Sequence, residues 1–212
     1  IAQYLPSPNH WKPSMPAYLI AMIDAHDADA YEEYKQTVPA LIEKHGGRYI
    51  VRGGASDVVE GTWPDGRIVA LEFPDFDSAN GFVDDPTYAP VAAIRQRTTT
   101  SHIWMTEGPE GGSTAEGMHG YLLANVTMTD MEAYKPYADQ VPAVLAGAGG
   151  TYLARGGQTR SVEGGMALDR LVIVGFADTA AARAFHGGEA YAPLIPIRRA
   201  ASDSHVVIVE GL

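Results

Sequence analysis

Tyr49-Ile50-Val51-Arg52-Gly53-Gly54 returns 103 residues further on as Tyr152-Leu153-Ala154-Arg155-Gly156-Gly157. Held at that offset without a gap, 34 of the 91 positions in 18–108 are identical in the second copy. The chain of 212 residues is therefore a tandem duplication. Its expected parts are an extended arm (1–17), a first repeat (18–108), a linker rich in Gly with Pro and Ser (109–120) and a second repeat (121–212).

Worked outward from that stretch, each copy gives the same order of elements. Residues 18–23 read as a strand. Asp27 caps a helix whose buried stripe is Tyr31, Tyr34, Val38, Leu41 and Ile42, with a kink expected at 37–38 before Pro39 and a stop at Gly46-Gly47. Residues 49–52 form a second strand closed by Gly53-Gly54, and Val58-Val59-Glu60 either continues it past a bulge or stands as a short separate strand. Pro64-Asp65-Gly66 is a turn, 67–73 a third strand, Asp75 the cap of a second helix, Pro90 the first turn of a short one, and 102–107 the last strand. Asp130, Asp178, Pro142 and Pro193 repeat the caps and prolines in the second copy.

The order β-α-β-β-α-β is the ferredoxin-like unit, an α+β fold with antiparallel sheets. Helices cover one sheet face, yet Leu19, Ile20, Ile23, Ile68, Val69 and Leu71 make the strands apolar on both. The second face is expected to meet the sheet of the other repeat, closing an intramolecular, pseudo-dimeric α+β barrel with its helices outside. Fusion then replaces the homodimer that a single repeat needs, and further homo-oligomerisation stays open.

Composition narrows the function. With 46% hydrophobic residues the chain can bury a real core. No apolar run reaches the ~18–20 residues of a membrane span, and no signal peptide is visible, so a cytoplasmic protein is expected. A net charge of −11 argues against nucleic acid as partner. The charge is uneven: positions 18–108 carry 15 acidic and 7 basic groups, and 121–211 carry 9 and 7. Cysteine is absent, which removes thiolate ligands and nucleophiles. His26 and His45 are too far apart for a close ligand pair, and no His-Glu-x-x-His occurs, so no metal is expected. No glycine-rich dinucleotide fingerprint or Gly-x-Ser-x-Gly appears either, and no cofactor is expected, although one histidine would suffice to hold a haem iron.

Tyr-x-x-Arg-Gly-Gly, Glu60-Gly61-x-Trp63-Pro64, the strand ending in Phe73, Tyr88-Ala89-Pro90 and Glu107-Gly108 together resemble the domain-of-unknown-function 1330 family. The resemblance covers both repeats and implies the dimeric α+β-barrel superfamily. Relatives by fold in that superfamily include cofactor-independent monooxygenases, muconolactone-type isomerases and haem enzymes, with ligands in the cleft between sheet and helices. The second copy departs where Trp63-Pro64-Asp65-Gly66 becomes Met166-Ala167-Leu168-Asp169, so the two pockets are not equivalent if Trp63 lines one.

Polar residues retained in both copies are the candidates for chemistry. Arg52 and Arg155, beside their glycine pairs, suit a carboxylate clamp, or else bridge to Glu60 and Glu163 within their own repeats. Glu60 and Glu163 are candidate general bases if an apolar cleft raises their pKa, or structural partners of the arginines. Arg67, Arg170, Arg95 and Arg198 are candidate substrate-binding cations, with carbonyl capping the alternative for Arg95. His102 and His205 are candidate proton carriers or structural strand starts, and His186 and His119 are additions of the second copy. Tyr49, Tyr152 and Trp63 are candidate wall residues, and most tyrosines read as core with one or two hydroxyls turned into a cleft. Two functions stay open: a cofactor-independent enzyme moving a proton on a small anionic or carbonyl-bearing molecule, of isomerase, lyase, decarboxylase or monooxygenase type, and a non-catalytic ligand-binding or structural module.

Overall fold

The computed structural model describes residues 15–165 and 169–212. Most of the expected arm, and the Met166–Leu168 stretch that replaces the Trp63 turn, lie outside the described residues. The first half runs β1 (Ala17–Ala25), α1 (Ala28–Lys44), β2 (Arg48–Arg52), β3 (Ser56–Glu60), β4 (Arg67–Phe73), α2 (Phe76–Val83), α3 (Ala89–Thr98) and β5 (Thr99–Glu107). The second repeats it as β6 (Gly120–Met128), α4 (Met131–Gly147), β7 (Thr151–Arg155), β8 (Thr159–Glu163), β9 (Leu171–Phe176), α5 (Thr179–His186), α6 (Leu194–Ala201) and β10 (Ser202–Glu210).

Local chemistry sets these boundaries. The carboxylates of Asp27, Asp75, Asp130 and Asp178 each accept an N–H from the first turn of the helix they precede, at 2.7–3.0 Å. Helix α1 continues through Pro39, and α4 through Pro136 and Pro142. At the end of α1 the N–H groups of Gly46 and Gly47 return to the carbonyls of Glu43 and Ile42, with Gly46 left-handed at φ 72°.

All strand pairs are antiparallel, in two five-stranded sheets ordered β2-β4-β1-β5-β8 and β3-β10-β6-β9-β7. Tyr31, Tyr34, Val38 and Ile42 of α1 pack on one face of the first sheet, and Tyr134, Tyr137, Val141 and Leu145 of α4 on the second. The remaining faces meet each other. Tyr18, Ile20, Ile68 and Trp104 from one sheet close on Tyr121, Leu123, Ile173 and Val207 from the other, which answers the two-faced apolarity of the strands. Each such buried side chain contributes about 1.5–3 kcal/mol, so neither sheet is stable with that face in water.

The sheets also trade strands. β3 leaves its own half to pair with β10 (Val207↔Val58, Ile208↔Asp57), and β8 pairs with β5 (Trp104↔Ser161, Met105↔Arg160). Of the two readings of 58–60, the short separate strand is the one formed, but on the sheet of the other repeat. Gly54 makes the departure possible, because a Cβ there would collide with the Glu210 carbonyl of β10. Gly157 clears Glu107 of β5 in the same way.

The exchange relocates the glutamates, and the expected bridges within one repeat are corrected accordingly. Glu60 is held by Arg198 through two bonds of 3.0 and 2.6 Å, with Arg199 at 3.2 Å. Glu163 is held by Arg95 at 2.6 and 3.0 Å and by Gln96 at 2.8 Å. Arg52 and Arg155 are partners of neither. Arg95 caps no helix carbonyl as the alternative reading had it; its guanidinium faces Glu163 from a 2% exposed position. The linker is packed as well as connecting: Ala115 N–H donates to the buried Glu72 carboxylate at 2.8 Å, and the Tyr18 hydroxyl donates to the Ser113 carbonyl. Among the described residues no helix is long and apolar enough to cross a membrane.

Burial alone would raise the Glu60 carboxyl, but the bonds from Arg198 and Arg199 hold it below the usual carboxylate range; Arg95 and Gln96 do the same for Glu163. A lowered folded pKa contributes stability that is full above the unfolded value and lost as pH falls through the folded one. Glu60→Gln, which leaves the Arg198 charge buried, is expected to cost about 3 kcal/mol near neutrality. The difference from wild type should shrink below about pH 4. Urea unfolding across a pH series reads both effects, and a pH-independent difference would reject this account.

Candidate functional site

A regular strand points residues i and i+3 to opposite faces. In β2 a bulge between Tyr49 and Val51 breaks that alternation. Ile50 and Val51 both enter the barrel interior, while Tyr49 and Arg52 both line the space under the helices. The equivalent bulge of β7 sends Leu153 and Ala154 inward and leaves Tyr152 and Arg155 on the helix side. The Arg52 guanidinium stacks 4.7 Å over the Tyr49 ring and Arg155 4.8 Å over Tyr152. Gly53 and Gly156, left-handed at φ 76° and 74°, leave room for Arg67 and Arg170 to cross above them. There Arg67 donates to the Arg52 carbonyl and Arg170 to the Arg155 carbonyl, at 2.5 and 3.1 Å.

These side chains form the walls of two small pseudo-equivalent clefts between sheet and helices, one in each repeat. Tyrosines and aliphatic side chains make most of each wall, with Arg52, Arg67 and Arg95 in one and Arg155, Arg170 and Arg198 in the other. Val162 of β8 joins the wall of the first cleft, and Glu60 of β3 braces Arg198 of the second, so each cleft is completed by the opposite repeat.

The interiors differ. In the second cleft Arg198 Nε donates to the Tyr191 hydroxyl at 3.2 Å, and Tyr191 and Tyr137 share a hydrogen bond of 3.1 Å. A charged donor at the head of this row polarises the hydroxyls behind it. In the first cleft the row is broken. Arg95 Nε is buried with no partner, and the Tyr34 and Tyr88 hydroxyls stand 3.4 Å apart. His186 occupies the wall of the second cleft where the first has Val83; its Nε2 is buried and without a hydrogen-bond partner. Burial lowers the His186 pKa; Glu60 opposes this, and Arg198 and Arg199 add to it, so the imidazole is neutral near pH 7. Burial pushes the Tyr137 hydroxyl well above its usual range, with Tyr191 adding to the effect, and Tyr152 up to about 12.

Other candidates stand elsewhere. Trp63 is buried inside the barrel, not in a helix-side cleft, and its indole N–H has no partner there. His205 lines neither cleft; its Nδ1 accepts the Thr62 N–H at 2.9 Å beside the left-handed Gly61, at the end of the exchanged strand. His102 lies opposite Gly164 and stacks on Trp104 at 6.3 Å. His119 bonds the Leu212 carbonyl. Glu60 and Glu163 are ion-paired carboxylates with lowered pKa, the reverse of a raised general base. The linked hydroxyls of Tyr137 and Tyr191 are the site feature that helical spacing alone did not single out. Among the described residues no group of three or more His, Asp or Glu is placed to hold a metal ion.

Two exchanged βαββαβ halves with a cleft under each helix layer define an α+β barrel. The chain belongs to the family described as Domain of unknown function (DUF1330), which matches residues 16–109 and again 119–212. Solved structures share the fold at low identity. An anthrone oxidase-like protein aligns with a TM-score of 0.53 at 12% identity, over 94% of this chain and 92% of its own. A heme-binding protein from Thermus thermophilus gives 0.52 and 12% over 99% and 96%. A putative chlorite dismutase gives 0.55 and 9% over 94% and 95%. No curated protein matches the chain in sequence.

The asymmetry of the hydroxyl rows is measurable. Tyr191→Phe removes an acceptor from a charged, buried donor and is expected to cost about 2 kcal/mol, against about 1 kcal/mol or less for Tyr88→Phe. Equal losses in urea unfolding would mean that the Arg198–Tyr191 bond does not distinguish the two clefts.

Proposed function

We propose that the chain is a cofactor-independent enzyme, cytoplasmic in setting, that moves a proton on a small carbonyl-bearing or anionic organic molecule in the second cleft. The observation that carries this reading is His186 Nε2, a neutral, unpartnered nitrogen buried in the wall of an apolar cleft. A basic nitrogen without a protein partner is free to accept a proton from a bound molecule. The row Arg198–Tyr191–Tyr137 supplies the complementary group, an O–H donor polarised from behind by a guanidinium.

In this reading His186 takes the proton from a carbon next to a carbonyl; the C–H electron pair becomes the C=C bond as the carbonyl π pair moves onto the oxygen. The resulting enolate accepts a hydrogen bond from the tyrosine row. Arg155 and Arg170 near the same cleft favour a substrate that also carries an acid group. The enolate is common to isomerase, lyase, decarboxylase and monooxygenase chemistry, so the step defines a substrate class ahead of a net reaction. A purely structural module would have paired its imidazole; the bare Nε2 of His186 favours a site. The fold likeness to oxidase-like proteins is compatible with this reading and adds no residue to it.

The test is deuterium incorporation from heavy water into a panel of aryl ketones and β-dicarbonyl acids, followed by NMR. Wild type should exchange at least one of them, and His186→Val should slow that exchange by about 10²–10⁴-fold. Because burial lowers the His186 pKa, the rate should rise with pH through a value below the ordinary 6.5 and stay level above it. Undiminished exchange in His186→Val would reject the assignment. A Soret shift on adding haemin, lost in the same variant, would replace it with haem ligation.

A further inference from the structure

The first cleft has a different endowment. Lys35, Arg52 and Arg67 line it, and no Asp, Glu or His does. Lys35 is ion-paired with Glu32 one turn earlier in α1. Arg52 is not paired: among the described residues its guanidinium meets the Tyr49 ring and neither a carboxylate nor a carbonyl. In the second cleft the equivalent Arg155 donates to the Ala138 carbonyl at 2.9 Å, and Ala138 itself stands where the first copy has Lys35. The duplicated frame thus holds an untethered Arg52 with Lys35 in the same wall in one cleft, and in the other an Arg155 tethered to a carbonyl, with no lysine in the wall.

A guanidinium held over an aromatic ring presents a planar fork of N–H donors, which suits two-point recognition of an acid group. Behind it lie Leu19, Val38, Val69, Leu71 and Phe82, an apolar wall suited to a flat hydrocarbon body. No group of this cleft is fitted to move a proton near neutral pH. Its arginines stay charged, and burial raises the hydroxyls of Tyr31, Tyr34 and Tyr49 above their ordinary value.

We propose that the first cleft is a separate binding site for a flat organic anion, an aromatic carboxylate or sulfonate, which it holds through Arg52 without chemical change. The chain then carries two sites with different duties, one that binds an acid and one that reacts. The proposal does not depend on the role of His186.

Calorimetric titration of the full chain with naphthoate, with anilinonaphthalene sulfonate as a fluorescent competitor, tests it. Arg52→Ala is expected to weaken naphthoate binding about tenfold, and Arg52→Lys, which keeps the charge and loses the fork, about threefold. Arg155→Ala and His186→Val should stay within about twofold of wild type. Thermal melting confirms that each variant is folded; if Arg52→Ala is not, Arg52→Lys decides. Failure of wild type to bind either probe at millimolar concentration overturns the proposal, as does affinity indifferent to both Arg52 variants. Loss of binding in Arg155→Ala or His186→Val with Arg52→Ala silent places the anion in the second cleft, which overturns it too and leaves the proton-transfer reading standing. Naphthoate binding that depends on Arg52, alongside no deuterium exchange, would sink only that other reading.

Discussion

Each sheet of this protein is apolar on both faces while its helices cover only one, and everything else follows from that surplus. Ile20 and Trp104 of one sheet and Leu123 and Val207 of the other have no alternative to water except each other. Face-to-face packing solves the problem for the faces but not for the edges, whose unpaired N–H and C=O groups need partners of their own. Exchange of β3 and β8 covers one side of each sheet, since each short strand extends the opposite sheet beside β10 or β5. The exchange also carries a carboxylate across with each strand. Arg198 and Arg95, buried at 3% and 2% exposure, are tolerable as charges only because Glu60 and Glu163 arrive from the other half.

The Tyr-x-x-Arg-Gly-Gly segment does two jobs at a single bulge. One extra residue in the ladder lets two consecutive apolar side chains point into the barrel, and it leaves the tyrosine and the arginine together on the cleft side. The first glycine of the pair makes room for Arg67 or Arg170, the second for the backbone of the opposite half. Core, cleft and exchange therefore depend on the same six residues, which accounts physically for their survival in both copies.

The element order and the need for a second sheet were legible from spacing, caps and strand polarity. The direction of the exchange was not, and the reason is the duplication itself. A glutamate after the second strand and an arginine near the end of the short helix occur in both copies, so pairing within a repeat and pairing between repeats are the same pattern in sequence. Only the backbone path after Gly54 and Gly157 separates them, and that path is fixed by contacts with Glu210 and Glu107, 156 and 50 residues away respectively. Helical spacing marked Tyr34 and Tyr137 as buried, and it carried no information on where a hydroxyl points. Likewise, a histidine at a strand start reads alike whether it faces a cleft or, as His205 does, accepts a backbone N–H.

The two halves diverge within a shared frame. Positions that build the barrel and the arginine row are shared, whereas the substitutions that change chemistry fall on the cleft walls: Val83 against His186, Lys35 against Ala138. A valine fills the first wall where a half-buried imidazole lines the second, and a lysine that keeps its head near solvent gives way to an alanine whose carbonyl then takes Arg155. The polar interior follows suit, with Arg198 bonded to Tyr191 in one cleft and Arg95 Nε left bare in the other. In a homodimer of single repeats each such change would appear in both clefts at once. Fusion removes that constraint, so an imidazole can enter the wall of one cleft while the wall of the other keeps a valine and a lysine.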